Sequence, residues 1–174
     1  HGALEHSPDY RKLKNLCTKI RFREEVTNVV REYENKLAGA LGVHVRTGDM
    51  NVSHPEYGNF TTWDFIVAMR ELRPSRVFIA ADNNDSIIQI RDEVENRFSH
   101  KCDIVYIPDL IREAKDTFED DYTQRNNMQK PEFWQQVFIE ALLLSRCNSL
   151  LCRVSNVPNV AMLFSRTIKK IHRL

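Results

Sequence analysis

Apolar positions along this chain switch repeatedly between two spacings. Val26, Val29, Val30 and Tyr33 recur at helical intervals between Phe22 and Lys36, and an uninterrupted apolar run follows from Ala40 to Val45. The first pattern predicts an amphipathic helix and the second a buried strand. A polar loop from Arg46 to Phe60 carries Gly48, Pro55 and Gly58. Thr61-Thr62-Trp63-Asp64 can then cap a helix through Leu72 whose inner face holds Phe65, Ile66 and Met69. Arg76 to Ala80 is the next strand, and Asn84 or Asp85 can cap a helix through Phe98 with Ile87, Ile90, Val94 and Phe98 as its apolar stripe.

Asp103 to Ile107 reads as a third strand, followed by a short helix over Pro108 to Lys115 and an acidic turn at Glu119-Asp120-Asp121. Pro131 suits the first turn of the most apolar helix, which runs through Arg146. Ser149 to Cys152 is a fourth strand, Val154 to Asn159 a loop, Val160 to Phe164 a short helix, and Lys169 to Leu174 an edge strand. Strand then helix, repeated without hairpin turns, predicts an α/β fold: a Rossmann-like parallel sheet flanked by helices. Residues 1–174 are expected to form one Rossmann-like domain, with 1–21 an extension or linker. The opening His1-Gly2-Ala3, without methionine or signal-peptide features, reads as a mature product or an excised piece.

Charge narrows the partners. Lys and Arg number 25 against 24 Asp and Glu, a net charge of +1, so no long-range field favours nucleic acid or an anionic membrane. Any bound anion must be held by a local cluster. No apolar run approaches the roughly 20 residues that span a bilayer. Cys17, Cys102, Cys147 and Cys152 lack zinc spacing and are expected to be buried free thiols, with disulfides as the alternative. Sequons at Asn51, Asn59 and Asn84 tilt the compartment toward the secretory route and leave it open.

Candidate chemistry gathers where apolar strands stop at polar residues, because open α/β sheets bind ligands at their carboxyl edge. Arg46 ends the first strand, and its rigid cationic fork matches phosphate oxygens. An ordinary salt bridge to Asp49 or Asp82 is its alternative. His44, two residues earlier, projects to the same side, as a ligand or as a hydrogen-bonded core histidine. Asp82 ends the second strand, where a carboxylate can bond a ribose or base, or simply cap a helix. Glu140 falls on the stripe of Phe133, Val137 and Leu144, so it needs a donor such as Arg46, an amide or a ligand. Ser155 and Asn156 precede a helix whose amides could receive an anion.

Other motifs fail. Neither GxGxxG nor a Walker loop is present. Pro108-Asp109 with Glu113-Ala114-Lys115 imitates a nuclease signature, but its halves are contiguous here instead of lying on adjacent strands. His44, Asp49 and His54 are metal-ligand types without the spacing to unite them.

In order, His44-Val45-Arg46-Thr47-Gly48-Asp49, Phe78-Ile79-Ala80-Ala81-Asp82-Asn83, Glu140 through Asn148 and Val154-Ser155-Asn156 resemble the donor-binding half of the GDP-fucose-dependent fucosyltransferases. These include protein O-fucosyltransferases, α1,6-fucosyltransferases and nodulation fucosyltransferases. The matched motifs are the His-x-Arg strand end, the Ala-Thr-Asp segment, an acidic helix running into Leu-Ser-x-x-Asp, and a Ser-Ser or Thr-Ser loop. The resemblance implies a GT-B glycosyltransferase that inverts the anomeric centre and needs neither metal nor cofactor. Arg46 would hold the β-phosphate of GDP-fucose as the catalytic group, with His44, Asp82 and Glu140 near the nucleoside and Ser155 and Asn156 near the phosphates. A glycan or protein acceptor would bind a separate amino-terminal domain. Thr47 stands where many members have a second arginine, and Glu140 where aspartate is common. A non-catalytic nucleotide- or glycan-binding module, and a transferase for a different nucleotide sugar, remain open alternatives.

Overall fold

A computed structural model describes residues 8–47, 59–108 and 131–174. Gly48, Asp49, Asn51, His54, Pro55, Gly58, the short helix expected from Pro108 to Lys115 and the acidic turn at Glu119-Asp120-Asp121 fall wholly or largely outside them. The elements are α1 (Pro8–Cys17), α2 (Glu24–Glu34), β1 (Leu41–Val45), α3 (Thr62–Leu72), β2 (Arg76–Ala81), α4 (Asn84–Arg97), β3 (Asp103–Val105), α5 (Pro131–Leu144), β4 (Ser149–Cys152), α6 (Asn156–Phe164) and β5 (Lys170–Arg173).

The five strands form one all-parallel sheet in the order β3-β2-β1-β4-β5, flanked by helices as the repeating pattern predicts. Strand alternation divides the core in two. Leu41, Val43, Val45, Val77, Ile79 and Ala81 pack with Phe65, Ile66 and Met69 of α3 and with Ile87, Ile90 and Val94 of α4. Phe78, Ala80, Leu150 and Cys152 project to the opposite face, against Val26 and Val30 of α2, Leu142 to Leu144 of α5, and Ala161 and Met162 of α6. Covered on both faces, β1 is buried at all five positions, which is why it reads as a continuous apolar run.

Gly42 shows how closely α5 approaches β1. A Cβ there would lie 2.8 Å from Leu150 Cδ2 and 2.9 Å from Leu144 Cδ2, so only glycine lets these side chains close over the strand. Below it, the Gly39 amide donates to Asn148 Oδ1 at 2.6 Å, and the Asn148 amide donates to the Ala40 carbonyl at 2.9 Å. Asn148, at the end of the acidic-helix motif, therefore joins the starts of β1 and β4. That edge is opposite the one where ligands bind such sheets.

Several expectations need correction. Within the stretch expected to be an extension or linker, residues 8–17 form helix α1, which packs against α6. The third strand stops at Val105. The cap of α4 is Asn83, whose side chain accepts from the Ser86 amide at 2.7 Å, and not Asn84 or Asp85. The last helix begins at Asn156 instead of Val160. Pro158 disguised it in the sequence, yet in a first turn its missing N–H forfeits no helical hydrogen bond. The cap expected before α3 is present: the Asp64 carboxylate accepts from the Thr61 amide at 2.7 Å and from its hydroxyl at 3.0 Å. All four cysteines are free, with Cys147 and Cys152 buried and Cys17 and Cys102 half-buried.

Candidate functional site

The strand order reverses beside β1. From β1 the chain passes through α3 to β2 and on to β3, then returns through α5 to β4 on the other side of β1. The carboxyl ends of β1 and β4 therefore flank a topological switch point, the usual ligand crevice of such a sheet. His44 pairs with Cys152 across these strands, so Arg46 and Ser155 follow at neighbouring strand ends. Parallel neighbours stand about 4.8 Å apart.

His44 is buried, and its Nδ1 has no hydrogen-bond partner. A fully hydrogen-bonded core histidine is thus not what forms. Burial, with a smaller contribution from the Arg46 charge, pushes its pKa down from 6.5 to about 3. At neutral pH it is an uncharged imidazole, suited to hydrogen bonding and not to charge pairing.

The peptide bond after Arg46 is held at both ends. Its carbonyl accepts from Arg153 Nη1 at 3.4 Å, and the amide of Thr47 donates to Asp82 Oδ2 at 3.1 Å. Asn83 Nδ2 reaches Asp82 Oδ1 at 3.0 Å and Thr47 Oγ1 at 3.4 Å. Asp82 is therefore joined to the loop after β1, while Asn83 takes the capping role. The structure brings His44, Arg46 and Asp82 together at two adjacent strand ends.

Glu140 is half-buried, not the fully buried acid that its place on the stripe suggested. The buried positions around it are Ile139 and Ala141 to Leu144, so the end of α5 is buried on more than the stripe read in the sequence, of which only Leu144 is fully buried. Leu144 lies over Gly42, and one helical turn back is about 6 Å, close to the rise of two strand residues. Glu140 therefore lies one helical turn from Leu144, toward the carboxyl end of β1.

Ser155 is the residue before α6, yet its buried hydroxyl makes no cap bond and has no partner. Asn156 is exposed at the first position of the helix. A helix N-terminus with an unused buried hydroxyl beside it suits an anion. Replacing a capping serine by alanine usually costs about 1 kcal/mol. For Ser155→Ala the urea midpoint should instead stay unchanged, because no cap bond is lost; a drop of that usual size would show that the hydroxyl does cap α6.

Sequence reasoning missed Arg153. It is buried at 3% exposure, immediately after β4, with its guanidinium carbon 4.6 Å from the centre of the Phe60 ring. Burial lowers its pKa from the ordinary arginine value, while the Asp64 charge acts in the opposite sense. It remains cationic. The signal available was a basic residue directly after an apolar strand, the same one that marked Arg46.

No protein-family model and no curated protein matches the chain. The site therefore rests on its own geometry. A cavity of about 560 Å³ lies elsewhere, among Lys14, Arg31, Glu34, Arg146 and Arg166, by the carboxyl ends of α5 and α6. Because the helices run back against the strands, that is the edge of the sheet away from Arg46.

Proposed function

We propose that this chain is the donor-binding half of a metal-independent, inverting glycosyltransferase that takes GDP-fucose and delivers fucose to a glycan or protein acceptor. One observation carries the reading. Arg46, the unpartnered Ser155 hydroxyl and the amino end of α6 converge on the neighbouring ends of β1 and β4. That is a concentration of anion-binding groups at a crevice suited to a nucleoside diphosphate. The four motifs that resemble those of fucosyltransferases favour GDP as the anion and fucose as the sugar.

Cleaving the bond from the anomeric carbon to the β-phosphate oxygen leaves negative charge on the diphosphate. A cation held in place there stabilises the transition state more than the ground state. Neutral His44, Asp82 and Glu140 would lie near the nucleoside, while Ser155 and Asn156 would bind phosphate oxygens. The acceptor and its activating base belong to the amino-terminal half that the family resemblance implies.

Thermal or urea unfolding with a panel of GDP, UDP and ADP sugars tests this directly. A ligand at a hundredfold excess over its Kd adds about 2.7 kcal/mol of stability. The expected pattern is a shift with GDP and GDP-fucose, unchanged by EDTA, and none with UDP or ADP sugars. Silence with every GDP ligand would overturn the assignment. Thr47, in place of the second arginine of many fucosyltransferases, favours one rival, a module that binds GDP-fucose without transferring it. GDP-dependent stabilisation without transfer, once the chain is joined to an acceptor domain, would identify that rival.

A further inference from the structure

We infer that Arg153 is a positioning residue that acts through Arg46, by fixing the plane of the peptide bond between Arg46 and Thr47. The inference rests on the donor-site reading above and adds to it a residue that no motif contains.

A peptide unit has two polar groups, and here each is taken by a side chain from a different neighbouring strand end. Arg153, after β4, donates to the carbonyl of Arg46, while Asp82, after β2, accepts from the amide of Thr47. β1 lies between β4 and β2, so the bonds pull on one rigid unit from both sides. Together they limit rotation about the bonds flanking that unit, and hence the direction in which the Arg46 side chain leaves the strand.

Arg153 is suited to this holding role. Its guanidinium is sandwiched into buried surroundings against the face of Phe60, a residue from the far end of the connection that leaves β1. A planar cation can stack on a ring and donate in its own plane at once, which an ammonium cannot reproduce. Arg153 thereby links β4, the Arg46 carbonyl and the approach to α3. A catalytic guanidinium displaced by about 1 Å loses much of its effect, so residues that lock its backbone matter without touching substrate.

A double-mutant cycle on GDP affinity separates action through Arg46 from direct phosphate contact. Kd for GDP is measured for the unmodified chain, Arg46→Ala, Arg153→Met and the double variant. Arg153→Met is expected to weaken binding about tenfold, and to have no further effect once Arg46 is alanine, because coupled groups are non-additive. Phe60→Leu removes only the stacking surface and should weaken GDP binding in the same coupled way. It decides the matter if Arg153→Met does not fold. Losses that multiply independently of Arg46, or unchanged affinity in both Arg153→Met and Phe60→Leu, overturn this inference and leave the donor site standing. Absence of GDP binding by the unmodified chain, or full binding by Arg46→Ala, instead overturns the donor site itself.

Discussion

Arg46→Ala is expected to lower fucosyl transfer from GDP-fucose by about 10²-fold or more, the scale of losing one preorganised charge-stabilising group. The loss should fall mainly on kcat, since the β-phosphate acquires its extra charge as the bond to the sugar breaks. GDP affinity should fall as well, because the product carries the same phosphate. Arg46→Lys should recover only part of the rate: it restores a point charge but not the planar fork. The readouts are GDP release and product formation with the chain joined to an acceptor domain, beside single-turnover GDP release by the chain alone. Undiminished turnover in Arg46→Ala would remove the catalytic assignment, whatever the affinity for GDP.

Arg46 stood out in the sequence for a reason that applies to the whole sheet. A strand covered on both faces must be apolar throughout, so its end is marked by an abrupt change of residue type. β1, β2 and β4 all announced themselves this way, and their parallel order followed from the helices between them. Edge strand β3 has less apolar cover, and there the sequence pattern overran the true end. The start of α6 was hidden for a different reason: Pro158 looks like a helix breaker unless the first turn is known to lie there. Periodicity also misjudged Glu140. In an almost wholly apolar helix several stripes can be drawn, and only packing against β1 and β2 chooses the buried one.

The site was legible as single residues and not as an arrangement. His44, Arg46, Asp82 and Ser155 were each visible at or near a strand end, but nothing local says that Asp82 and Arg153 grip the same peptide unit. That relation depends on strand order, with β1 between β2 and β4. Arg153 was also masked by its neighbours. Arginine after Cys152 resembles any surface base, and its near-complete burial is a property of the folded crevice. The unpartnered atoms of His44 and Ser155 are likewise tertiary facts, which no local pattern in the sequence carries.

Acid should destabilise this protein through His44 more than through an ordinary surface histidine. In the unfolded chain the imidazole titrates near 6.5, whereas in the fold burial and the nearby Arg46 hold it at about 3. The native state thus binds fewer protons than the unfolded state between those values, so stability is complete above pH 6.5 and declines as pH falls toward 3. Each pH unit inside that window costs about 1.4 kcal/mol, so lowering the pH from 7.5 to 4.5 should cost on the order of 2–3 kcal/mol from His44 alone. Carboxylates add their own acid sensitivity, and a comparison with His44→Gln removes it, because the variant retains every other titrating group. Urea unfolding of both proteins at the two pH values reads the difference directly, provided the denaturant slope is unchanged. The unmodified protein should lose more stability than the variant by that margin. Equal losses would mean that His44 takes up its proton as readily in the fold as in the unfolded chain, which its burial beside a cation opposes.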